Sequence, residues 1–162
     1  MKSILNHLII LSIIFIMGAS NIEKPILCQD KLLPCAIANF DELYKESYNH
    51  FWLIFHEAGQ RAASCSDMLR TAAFLEAASV KKGNAEFHEY FMDIIENQLI
   101  LKNTKCFLEA LKQTSFNSRK IILSDLNNPI YIDKSSIDNA FNRFMANPRY
   151  QEIIKFYKGI MP

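Results

Sequence analysis

Glycine and proline are scarce in this chain: four and five, respectively, among 162 residues. Four glycines cannot build the loops that cradle phosphates, and neither a P-loop nor a GxGxxG pattern is present. The GxSxG elbow that presents a nucleophilic serine is missing as well. Half of the chain is apolar, which together with so little Gly and Pro argues against extended disorder. Charge of neither sign prevails, with 18 basic residues against 17 acidic ones. Such a chain has no overall field to steer it onto nucleic acid or an anionic membrane, so neither is expected as a partner. The four cysteines include no paired CxxC and no CxxCH, the spacings of structural zinc sites and haem attachment. No cofactor is expected.

What the chain does have begins at its start. Lys2 precedes a continuous apolar stretch, Leu8 to Met17, and Gly18-Ala19-Ser20 follow as small residues. That order predicts a secretory signal peptide over residues 1–20, with the cut after Ser20. The apolar core is too short to span a bilayer, which takes about 20 apolar residues. The rival reading is an uncleaved N-terminal anchor. A secreted or periplasmic protein without stable membrane insertion is the expectation. Removal of Lys2 leaves 17 basic and 17 acidic residues, and the remaining length suits one domain.

An oxidising compartment lets disulfides persist, so Cys28, Cys35, Cys65 and Cys106 read as two bonds. The helical pattern suggests the pairing. Residues 21–38, with Pro25 and Pro34, show no clean period and read as an irregular segment. The helical domain then covers residues 39–162. Asn39 and Glu42 have the spacing of a capping box. Leu43, Tyr44, Tyr48, Phe51, Trp52 and Phe55 follow at helical spacing, in a helix expected to end near Gly59. A second helix is expected from Ser66 to Lys82, stopped by Gly83. Asn84 caps a third, Ala85 to Leu101, folded back as an antiparallel hairpin. Further helices are expected over 104–113, 118–126, 135–146 and 149–157, with Pro129 to Ile132 extended. The result is an all-α domain of six to seven helices packed as antiparallel hairpins. Folding at Gly83-Asn84 brings Cys65 alongside Cys106 and leaves Cys28 to pair with Cys35. On a chain-entropy model the long loop contributes on the order of 4 kcal/mol and the short one roughly 2.5.

Chemistry-bearing patterns are weak. His50 and His56 are six residues apart, about 120° out of phase on a helix, so they cannot share a face as an HExxH pair does. A metal-binding or hydrolytic site would have to join His56 and Glu57 to His88 from another helix. Glu57 with Glu76 or Glu86 is a possible glycosidase pair that no spacing singles out. No catalytic residue and no metal ligand is assigned, and the protein reads as a non-enzyme.

Two surface features remain. Glu86, Glu89, Asp93 and Glu96 recur at spacings of three, four and three, an acidic stripe suited either to solvation or to docking a basic partner. Tyr44, Tyr48 and Trp52 form a line at spacing four that suits a core or a partner interface, where Tyr and Trp are enriched. Lys102, Lys105, Lys112, Arg119 and Lys120 make a looser basic set. In size, export signal, helical content and paired cysteines, the chain resembles the small helical periplasmic proteins that neutralise secreted toxic enzymes, such as immunity proteins of secreted amidases. That resemblance implies an unidentified protein partner in the cell envelope or outside the cell. The alternatives are the His56, Glu57 and His88 site and a structural subunit of an envelope complex.

Overall fold

In the computed structural model, which describes Cys28, residues 32–81 and residues 83–159, every regular element is helical. The elements are α1 (Leu33–Ala38), α2 (Phe40–Glu46), α3 (Tyr48–Ser64), α4 (Met68–Leu75) and a 3-10 turn, Glu76–Ser79. A second run follows: α5 (Ala85–Asp93), a π-helical segment (Ile94–Ile100), α6 (Leu101–Gln113), α7 (Phe116–Asp125), α8 (Lys134–Asn142) and α9 (Pro148–Tyr157). The all-α expectation holds, and no strand occurs among the described residues. The expected signal peptide lies outside them.

The hairpin at Gly83-Asn84 forms as expected. Gly83 takes φ +100°, a conformation that costs glycine little. The Asn84 side chain caps α5 by accepting from Phe87 N–H. Downstream, however, the chain does not stop at Leu101. Residues 85–113 run on through α5, the π segment and α6, with a kink at Asn103 (φ −136°, ψ 43°) in place of the expected break. This long element is the axis of the molecule. On it pack α3, against the π segment, and α4, α8 and α9, against α6.

Several boundaries differ for local reasons. Pro34 opens α1 inside the segment expected to be irregular, because a proline in the first turn forfeits no hydrogen bond. Asn39 does not form the capping box; its amide donates to Cys35 O at 2.9 Å. The single helix expected from Asn39 is two, parted at Ser47 (φ −145°). Gly59 does not end α3. It lies where Tyr90 crosses, and a Cβ there would collide with the Tyr90 hydroxyl group. The helix instead ends at Cys65, left-handed at φ 53°. The second helix is capped by Asp67, whose side chain accepts from Leu69 N–H at 3.0 Å.

Both disulfides have the expected partners. Cys28 pairs with Cys35 at a Cα separation of 5.8 Å, and Cys65 with Cys106 at 6.3 Å. The second bond staples the end of α3 to α6. The core is strongly aromatic: Phe40, Phe51, Phe55 and Phe87 meet edge-on or tilted, with centroids 4.6–5.8 Å apart. Such rings contribute beyond area burial, about 0.5–1.5 kcal/mol per pair.

Candidate functional site

The aromatic line and the acidic stripe, separate in the sequence, meet on the surface. Tyr44 ends its turn of α2 and Tyr48 opens α3, and the break at Ser47 sets them side by side with ring centroids 5.4 Å apart. Both hydroxyl groups donate to one carboxylate, Glu86 in the first turn of α5, at 2.8 and 2.6 Å. These hydrogen bonds hold the Glu86 carboxyl below its usual pKa and push both phenols above theirs. Trp52 continues the line, edge-on to Tyr48 at 6.3 Å and to Tyr90 at 5.6 Å. His56 packs beside Trp52 and Tyr90. The Tyr90 hydroxyl group donates to Phe55 O at 3.1 Å, and burial pushes its pKa well above the ordinary phenol value.

The stripe itself is only partly a surface feature. Glu86 and Glu89 are exposed and Asp93 is half-buried, its carboxylate accepting from Asn97 at 2.8 Å. Glu96 corrects the reading. It is fully buried, because the chain after Pro129 folds over it and brings three backbone donors that need an acceptor. Ile130, Tyr131 and Ile132 N–H donate to its two oxygens at 3.0, 2.7 and 3.1 Å. The wider π turns starting at Ile94 also take it out of phase with the α-helical stripe. Residues 130–132 are accordingly bends held by a side chain, not an extended strand.

The histidine and glutamate alternatives are not brought together. His56 sits with Trp52 and Tyr90, while Glu57 pairs with Arg61 at 2.5 Å. His50 Nε2 lies 3.0 Å from Cys28 O and ties the first disulfide to α3. Glu76 receives Ser115 N–H, Ser115 Oγ and Ser118 Oγ, and so holds Ser115, the residue that caps α7. Among the described residues no group of three or more His, Cys, Asp or Glu side chains is placed to hold a metal. The basic set is partly internal as well: Arg119 donates to the carbonyls of Leu111, Lys112 and Thr114 at the end of α6.

A second constellation was not visible in the sequence. Lys81, near the end of the second helix expected from the sequence, is buried and ion-paired with Asp125 of α7. Its ammonium also lies 2.9 Å from His88 Nδ1 and over the Phe91 ring. Burial lowers the Lys81 pKa against the opposing pull of Asp125. Burial first, and the Lys81 charge second, lower that of His88. Forty-four residues separate Lys81 from Asp125, and no local pattern announces such a pair. These three side chains border a cleft of about 730 Å³ between the hairpin turn and α7.

Compared with known proteins, the chain matches no protein-family model, no curated protein and no solved structure. No helix among the described residues is long and apolar enough to cross a membrane.

Proposed function

We propose that this chain is an exported, non-enzymatic binding protein that docks a protein partner on the face formed by Tyr44, Tyr48, Trp52 and Glu86, with Glu89 beside it. The observation that carries this reading is the double anchoring of Tyr44 and Tyr48 on Glu86. Two tyrosines fixed in orientation present aromatic surface with little rotamer entropy left to lose on binding. Tyr and Trp are also the residues around which interface energy concentrates. The unbalanced carboxylates of Glu86 and Glu89 favour a basic patch on the partner. Two disulfides suit an extracytoplasmic compartment. A secreted enzyme that the chain neutralises is the partner class this plan fits best.

The test is chemical cross-linking and capture from envelope and culture fractions, with the parent and the variants Tyr48→Ala and Glu86→Lys side by side. One partner retained by the parent and lost by both variants, with unfolding curves unchanged, supports the reading. A partner captured equally by all three places the interface elsewhere on the molecule. Affinity for the true partner is expected to fall at least about tenfold in Tyr48→Ala, the scale of an interface hot spot.

A further inference from the structure

The cleft between the hairpin turn and α7 has a different chemistry from the aromatic face. Its volume, about 730 Å³, lies within the roughly 300–1,000 Å³ typical of small-molecule sites. One wall is a stripe of α7, where Asn117, Lys120, Ile121 and Ser124 recur at helical spacing; the other is formed by Ala78, Ser79, Lys81, Gly83, Asn84 and Ala85. Ala78, Ala85 and Ile121 supply apolar surface. The polar groups gather at Lys81, His88 and Asp125. Lys81 is only 5 % exposed, yet it borders the cleft.

From this arrangement we infer a binding site for a small organic anion that carries an apolar body. Three observations point to negative charge in the ligand. Lys81 and Lys120 outnumber Asp125 among the charged residues lining the cleft. No carboxylate among the described residues lies within ion-pair distance of Lys120. The N-terminus of α5, at Asn84-Ala85, adds the positive end of a nine-residue helix. The Lys81 ammonium has three donors, and Asp125 and His88 occupy two of them. With His88 neutral and its Nδ1 accepting, the ammonium is held at the base of the site while Lys120 closes on the anion from the rim.

Anilinonaphthalene sulfonate, an aromatic body with one fixed negative charge, is a suitable probe. It is titrated by fluorescence into the oxidised full chain, while amide resonances report where it binds. The expected result is saturable binding with shifts confined to residues 78–88 and 117–125. Lys120→Glu is expected to weaken binding about tenfold, and Ser124→Trp to abolish it by filling the cleft. Both positions are exposed, so each variant is expected to fold, which circular dichroism checks. Phenylnaphthylamine, with the same body and no charge, is expected to bind at least about tenfold more weakly. Equal binding of the two probes overturns the assignment of an anion. Absence of saturable binding, shifts elsewhere on the molecule, or undiminished affinity in Ser124→Trp overturns the site.

Discussion

At the scale of single residues, Glu86, His88 and Gly59 each answer a specific need of their surroundings. Glu86 serves two phenols, and its removal has a readable signature. In Glu86→Gln the Tyr44 and Tyr48 hydroxyl groups lose the carboxylate that raises them, so their alkaline titration is expected to move down towards the ordinary value near 10. Ultraviolet difference spectra against pH measure this directly. His88 makes the opposite kind of demand. Its pKa is lowered in the folded chain by burial and by Lys81, so the unfolded chain takes up the proton first as pH falls. The groups acting on it are Lys81 and Asp125, with Glu89 and Glu96 more weakly. Its contribution to stability is therefore fully present above the unfolded value, about 6.5. It declines as pH drops through that value towards the depressed folded one. Chemical denaturation between about pH 7.5 and 5 is expected to show this decline in the parent. In His88→Asn, which keeps an acceptor for Lys81 but cannot titrate, the decline is expected to be smaller. Gly59 answers a spatial need. Gly59→Ala forces Tyr90 from its place, breaks its bond to Phe55 O, and is expected to cost about 1–3 kcal/mol, seen as a lowered unfolding midpoint.

Among the elements, the hairpin was legible and the rod was not. Gly83 and Asn84 are local signals for a stop and a start, and they place Cys65 against Cys106 without any long-range information. Replacing both cysteines with Ala is expected to lower stability by about 2–5 kcal/mol, and equilibrium unfolding of the double variant against the oxidised parent measures it. The continuation through Leu101 escaped because the π segment from Ile94 to Ile100 widens the helical turn, and a pattern read at the α-helical angle loses its phase across it. The same loss of phase misplaced Glu96 on the surface. A stripe read at a fixed turn angle holds only while the helix keeps that angle. The Ser47 break escaped for a different reason: aromatic spacing continues across it, and it is this break that sets Tyr44 and Tyr48 side by side.

For the molecule as a whole, composition and periodicity sufficed for the helical class and for the two disulfides. The candidate face was half visible. Tyr44, Tyr48, Trp52 and Glu86 were each singled out, but their union depends on a contact 38 to 42 residues apart in sequence. The cleft was invisible, because its walls come from segments whose polar residues look individually like solvated surface. Side chains also bind distant elements into one body: Glu109 joins α6 to α9 through Arg149 and Tyr150, at 2.6 and 2.5 Å. Burial acts to raise the Glu109 pKa, and these bonds together with the Arg149 charge outweigh it and hold the carboxyl low. Acidification that protonates Glu109 is therefore expected to loosen α9 from the rod. The change should appear as early exposure of Tyr150 to solvent perturbation, and Glu109→Gln should show it already at neutral pH.

Glu96 also determines how the segment around Tyr131 behaves in time. Amide protons in a stretch without helix or strand ordinarily exchange with deuterium within moments, since nothing inside the protein holds them. Those of Ile130, Tyr131 and Ile132 are held by a carboxylate rooted in the central rod. Their release requires the loop to lift away from the π segment and leave a charged group without partners, an opening on the order of several kcal/mol. Mass-resolved deuterium uptake should therefore find a slow island at residues 130–132 beside a quickly exchanging Asp133, in a stretch without helix or strand. In Glu96→Gln, where an amide nitrogen replaces one accepting oxygen, that island should exchange at the pace of its neighbours.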